Sequence, residues 1–235
     1  MKKLFLILLV VALPAFGQKV TATNWLVADG DGRIIESRGA EEQRSIASIT
    51  KLVTAMVVLD ANQDLDEYIK PYTRKELLQL MLIKSDNRAA EVLCENYPLG
   101  RSSCIAAMNL KVWKLGLANT KFVDPSGLNI MNISTANELV PLVLEASKYP
   151  EIVEASHTAQ VKIQKKKSYF TFNNTNPLVA TKEFIISKTG YIRASGGCIV
   201  AMVETKIGRR IVVLLNSKNT YTRIPEVYQL ASAFN

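Results

Sequence analysis

The sequence predicts an α+β protein on three observations: a β-like hairpin near the start, a helical middle, and three strand-like segments closed by an amphipathic helix. Strands over 25–28 and 33–37 flank Asp29-Gly30-Asp31-Gly32, a turn sequence whose residues tolerate positive φ. From Ser48 onward, Leu52, Ala55, Met56 and Leu59 recur at helical spacing, while Val53, Val57 and Val58 make the other faces apolar. That pattern predicts a helix buried on most sides. Further helices are predicted over 74–82, 87–95, 104–115 and 136–147. Strands over 184–188, 198–204 and 211–215, punctuated by Gly196-Gly197 and Gly208-Arg209, predict an antiparallel meander, with a helix over 224–233 packing back on it.

With 235 residues, 48% of them hydrophobic, the chain can bury a substantial core without a metal or a dense disulfide framework. Residues 1–17 read as a cleaved secretory signal. Lys2 and Lys3 precede an apolar run over 4–13, and the small residues Ala15 and Gly17 suit signal peptidase. The run is short for a membrane-spanning helix, and no cysteine follows the cut, so no stable membrane anchor is expected. The mature domain is read as 18–235 and its location as periplasmic, extracellular or wall-associated. Losing Lys2 and Lys3 lowers the formal charge from +8 to +6. A basic exported protein fits an anionic partner such as acidic wall polymer. The basic residues are scattered, and Lys165-Lys166-Lys167 reads as a solvated loop, so nucleic acid is not the expected partner.

Three cysteines in an exported chain allow one bridge and one free thiol. Cys94 and Cys104 flank the helix-breaking Tyr97-Pro98-Leu99-Gly100 and are the expected pair, whereas Cys198 lies in a strand-like apolar run. The sole histidine, His157, reads as a loop or surface residue, and no metal or other cofactor is expected.

The chemistry concentrates in Ser48-Ile49-Thr50-Lys51, Ser85-Asp86-Asn87 and Lys188-Thr189-Gly190. Each is common by itself, and the ordered set is far more specific. Residues three apart on a helix share a face, so Lys51 can reach the Ser48 hydroxyl and take its proton. Burial and a nearby positive charge, for which Lys188 is the candidate, would lower the Lys51 pKa enough to make it a base. Ser48 at a helix start places its backbone N–H among unpaired donors, where an oxyanion is stabilised. Ser85, Asp86 and Asn87 interrupt an apolar pattern, which suits helix capping as well as catalysis. Lys188 and Thr189 offer a cation and a hydroxyl on alternate faces of a strand, with Gly190 permitting close approach.

Around these motifs the chain resembles the low-molecular-mass penicillin-binding proteins, the serine D-alanyl-D-alanine peptidase family. The likeness runs through residues 46–55, Asp124-Pro125-Ser126-Gly127-Leu128, Ser134-Thr135-Ala136-Asn137-Glu138-Leu139, and the segment from Lys188 to Cys198. It implies a five-stranded antiparallel sheet flanked by helices, with an all-helical subdomain carrying the Ser85 loop. It also implies roles. Ser48 would attack the carbonyl of a D-alanyl bond, Lys51 would accept the proton, Ser85 would relay it to the leaving amine, and Asn87 would hold the substrate amide. Lys188 and Thr189 would engage the terminal carboxylate, the backbone N–H groups of Ser48 and Tyr191 would form the oxyanion hole, and β-lactams would acylate Ser48.

Carboxypeptidase members commonly carry a second, β-rich C-terminal domain, but this sequence ends at Asn235, soon after its third motif. The short form, with Tyr191-Ile192 and Gly197-Cys198, looks more like the soluble endopeptidase branch. Hydrolysis of cross-links in peptidoglycan stem peptides is therefore favoured over carboxypeptidase action. The alternatives are a class A-like β-lactamase, which would need a glutamate beside the site to activate water, and a non-catalytic module that binds wall or senses β-lactams.

Overall fold

The computed structural model describes residues 20–165, 168–181 and 183–233. The segment read as a secretory signal and the Lys166-Lys167 part of the basic run lie outside these. β1 (Asn24–Asp29) and β2 (Ile34–Arg38) form the first hairpin, and β3 (Arg44–Ser45) leads into a 3-10 turn at Ala47–Ile49 and then α1 (Thr50–Asp60). A small hairpin of β4 (Tyr68–Ile69) and β5 (Tyr72–Thr73) precedes α2 (Arg74–Gln79), which runs on as a π turn over Leu80–Lys84. The helical part continues through α3 (Asn87–Glu95) and α4 (Arg101–Lys114), then β6 (Ile133–Ser134), α5 (Ala136–Ala146) and α6 (Pro150–His157). A hairpin of β7 (Gln160–Lys165) and β8 (Ser168–Asn173) leads to β9 (Phe184–Ile192), β10 (Gly196–Thr205), β11 (Gly208–Ser217) and α7 (Arg223–Ala233).

The main sheet has five antiparallel strands in the order β2-β1-β11-β10-β9. Period-two alternation serves both of its faces. Val27, Ile199, Ala201, Val212 and Leu214 pack with Val227 and Leu230 of α7. Leu26, Val200, Met202, Ile211 and Val213 face the other way, into the larger core shared with α1 and α5. α1 is buried from Thr50 to Val58, as its apolar faces predict, and it runs through the middle of this core.

Several boundaries differ from those read in the sequence. β9 runs on through Lys188-Thr189-Gly190 to Ile192, and Gly196, Gly197 and Gly208 lie inside strands, because ladder partners across the sheet override weak local propensity. α6, β7 and β8 were not predicted, although Pro150 at a first helical position and the alternation of Val161 and Ile163 with polar residues are signals for the first two. β8 is almost wholly exposed and β7 carries only Val161 and Ile163 as buried apolar residues, so their order comes from pairing and from contact with the α2 end. The Cys94–Cys104 disulfide joins the end of α3 to the start of α4, with the Cα atoms 5.3 Å apart. Cys198 is free and buried in β10 opposite Gly190.

Candidate active site

Ser48 sits on the 3-10 turn that opens α1, partly exposed between the buried Ala47 and Ile49. Ala47 holds φ at 46°, a conformation that costs a non-glycine residue free energy unless its surroundings enforce it. Two contacts enforce it here. The Ile46 N–H donates to the Asn132 carbonyl, and Gly127 packs so closely that a Cβ there would collide with the Ala47 carbonyl. The hydroxyl is thereby presented on a rigid turn.

Lys51, one turn on, is 0% exposed. Its Nζ donates to Ser48 Oγ at 2.9 Å, to Asn87 Oδ1 at 2.7 Å and to the Ser126 carbonyl. Only the serine hydroxyl among these three can itself donate. When Lys51 is neutral, its two remaining protons stay on the two carbonyl oxygens, and its lone pair faces the Ser48 hydroxyl. Burial lowers the Lys51 pKa to about 7, against an opposing pull from Asp124, Asp86 and Glu91. Of the two causes expected, burial acts as predicted, and the neighbouring cation is not among the groups that lower it. The charged groups that act on Lys51 are acids, and its own charge instead helps to depress Lys188.

The Ser126 carbonyl is fixed by the loop around it. Asp124 accepts the N–H groups of Ser126, Gly127 and Asn129 and the hydroxyl of Ser126. Thr54 of α1 donates to the Pro125 carbonyl at 2.7 Å, and Asn132 Nδ2 reaches Thr50 Oγ1 at 3.1 Å. α1 and the 3-10 turn that opens it therefore carry both the serine–lysine pair and the hydroxyls that hold the loop against it.

Within Ser85-Asp86-Asn87 the capping falls to one residue. Asp86 caps α3, its Oδ1 accepting the Ala89 N–H at 3.0 Å. Ser85, at φ 62° after the π turn, and Asn87 are left to face the site. Asn87 gives its carbonyl oxygen to Lys51, a contact the motif alone did not specify.

Lys188 is 1% exposed and donates to Ser85 Oγ at 2.8 Å and to the Thr189 carbonyl at 3.0 Å. Burial, then the charges of Lys51 and Arg223, push its pKa well below the usual lysine range. Thr189 Oγ1 donates to Thr175 Oγ1 at 2.6 Å. A Cβ on Gly190 would lie 2.9 Å from the Ile46 carbonyl oxygen and 3.0 Å from the Ser48 nitrogen, so β9 approaches the serine amide as only glycine allows. Tyr191, half-exposed, pairs with Gly197.

All the motif residues thus meet at the seam between β9 and the helical part. Thr175, Asn132 and Arg223 join them without having been anticipated. Asn132 and Thr175 fall in loops with no periodic pattern, and Arg223 is a single basic residue at a helix start, 33 positions after the Gly190 it contacts. The assembled groups supply an activated hydroxyl, a buried amine of tuned pKa, and a serine–lysine path on the opposite wall, which are the parts of an acyl-transfer site.

The D-alanyl-D-alanine carboxypeptidase family profile matches residues 11–70 and 66–219. A D-alanyl-D-alanine endopeptidase of Pseudomonas aeruginosa is 35% identical over 240 residues, covering 91% of this chain and 77% of that protein. One of Escherichia coli is 35% identical over 268 residues, covering 97% and 86%. Among solved structures, penicillin-binding protein D2 from Listeria monocytogenes, in its ampicillin-bound form, superposes with a TM-score of 0.79 at 26% identity over 90% of this chain and 96% of that one. The Streptomyces K15 DD-transpeptidase does so with a TM-score of 0.83 at 25% identity over 91% and 96%.

Proposed function

The chain belongs to the D-alanyl-D-alanine carboxypeptidase family, and on that premise we propose that it hydrolyses D-alanyl cross-links between peptidoglycan stem peptides through an acyl-enzyme on Ser48. It is a penicillin-binding serine hydrolase of the D,D-peptidase class. The observation that carries the assignment of residues is the 2.9 Å contact between Ser48 Oγ and a Lys51 amine whose pKa burial has lowered to about 7.

In this reading Ser48 Oγ attacks the D-alanyl carbonyl as Lys51 Nζ takes its proton. The oxyanion is received by the N–H groups of Ser48 and Tyr191. Collapse of the intermediate breaks the C–N bond, and the leaving amine receives a proton through Ser85 Oγ, which Lys188 holds at 2.8 Å. Water then hydrolyses the ester, with Lys51 again accepting a proton. Asn87 Nδ2 remains available for the substrate amide, since its oxygen serves Lys51. Thr189 receives the substrate carboxylate, with the Lys188 amine behind it.

Two points support a peptidase over a β-lactamase. Glu138 spends its carboxylate on Asn119 and Thr120 at the start of α5, and Asp124 is committed to its own loop, so neither is placed to activate deacylating water. The endopeptidase preference rests on relatives of that name at 33–35% identity, against 24–28% for those named carboxypeptidases. Export, with residues 1–17 as signal, places the enzyme with its wall substrate. Among the described residues no helix is long and apolar enough to cross a membrane.

The test is to incubate the protein with cross-linked muropeptide dimers and, separately, with uncross-linked pentapeptide, and to identify products by mass. Dimer cleavage without release of terminal D-alanine is the expected result. D-Alanine release from pentapeptide reassigns the preference to carboxypeptidase, and full activity in Ser48→Ala overturns the serine mechanism.

A further inference from the structure

Arg223 opens α7, on the side of the sheet away from α1, yet it is only 7% exposed. Its Nη1 donates to the Gly190 carbonyl at 2.6 Å, and its Nε is buried with no hydrogen-bond partner among the described residues. A buried guanidinium is expensive to hold without full pairing, so its place against one peptide unit calls for a reason. The sheet is irregular at this point: the β10–β11 register shifts between Gly197 and Ile199, so Cys198, which lies opposite Gly190, is skipped in that pairing.

The peptide unit that accepts this bond is the one joining Gly190 to Tyr191. A trans peptide is planar, with its C=O and N–H pointing in opposite directions. β9 is an edge strand, so one side of its backbone meets β10 and the other faces the Ser48 turn. A cation fixed on the Gly190 oxygen therefore locks the Tyr191 N–H toward the Ser48 side. It also draws electron density toward the oxygen, which makes that N–H a stronger donor.

We propose that Arg223 is a positioning residue for the oxyanion hole, orienting and polarising the Tyr191 N–H through the Gly190 carbonyl without touching substrate. The inference rests on the acyl-enzyme reading above. It predicts a role in the chemical step rather than in binding. Removing one oxyanion donor outright lowers turnover by about 100- to 1,000-fold, and loosening one should lower it by about tenfold.

The test compares the wild type, Arg223→Met, which fills the volume without a charge, and Arg223→Lys, which keeps the charge with a poorer fit. Stopped-flow acylation by a penicillin separates the dissociation constant from the acylation rate constant, and infrared difference spectra read the ester carbonyl stretch of the Ser48 acyl-enzyme. The expected result is an acylation rate constant about tenfold lower in Arg223→Met with an unchanged dissociation constant, an ester band at higher wavenumber, and intermediate values in Arg223→Lys. Wild-type rate and band in whichever variant folds overturn the proposal. So does a raised dissociation constant with an unchanged rate constant, which would make Arg223 a direct contact for the ligand's carboxylate. If the wild type itself takes no label on Ser48, the acyl-enzyme reading fails first and this role falls with it.

Discussion

Burial has brought the Lys51 pKa to about 7, so the neutral amine is within reach at neutral pH. The neutral amine is the form that can take the Ser48 proton, so acylation by a penicillin should rise with pH through an apparent pKa near 7 and then level off. The second-order rate constant measured from pH 5 to 9 checks this, and a fall across that range would contradict the role of Lys51. Gly190→Ala tests the other side of the site. Its methyl would press on the Ile46 carbonyl oxygen, the Ser48 nitrogen and Ala47 Cβ at 2.9–3.1 Å, all on a turn that cannot yield easily. Acylation should drop by about 10- to 100-fold, as displacements well under the size of an atom do to a reacting geometry. Ser48 and Lys51 were legible as a pair because helical spacing puts them on one face, and Ser85, Asn87 and Lys188 were picked out by the ordered motifs and the family resemblance. Asn132, Thr175 and Arg223 were not, because only tertiary structure brings them to the site.

The helices and strands differ in how they announce themselves. α1 and β11 carry dense apolar patterns that no solvated segment would tolerate, and the sequence reading places them well. α6 and the β7–β8 hairpin are short; α6 packs on β9 and on the α2 end, and the hairpin rests on the α2 end. The turn between α3 and α4 is the element whose energetics can be tested most directly. Its disulfide closes a loop with a sequence separation of 10, for which chain entropy gives about 2–3 kcal/mol of stabilisation. Cys94→Ala paired with Cys104→Ala should lose about that much in denaturant unfolding. Penicillin acylation should stay within a few-fold of wild type, because Asn87 lies at the opposite end of α3 and is held by the Asp86 cap and by Lys51.

For the molecule as a whole, apolar clusters pack on opposite faces of one sheet, and the site lies at its β9 edge against the helical part. The class and order of these layers were readable from a hairpin, a helical middle and a closing meander. Which edge strand would face α1 was not, since strand order depends on contacts far apart in sequence. The basic balance, +8 formally and +6 without Lys2 and Lys3, acts at this scale too. Hydrolysis of intact, polyanionic wall should slow as salt rises from low to physiological strength, whereas cleavage of a small soluble muropeptide should change little. Rates on both substrates across a salt series check this, and equal slopes would remove the long-range contribution.

Cys198 lies sealed in β10, directly behind the Gly190 backbone, and it is the free thiol left once Cys94 and Cys104 are joined. The native protein therefore carries a built-in timer. A thiol-specific dye can reach it only when the packing around β10 opens, so its uptake reports the rate of those openings. A bound acyl group that braces β9 against the Ser48 turn would slow the clock, turning inhibitor occupancy into a rate that can be read without any substrate.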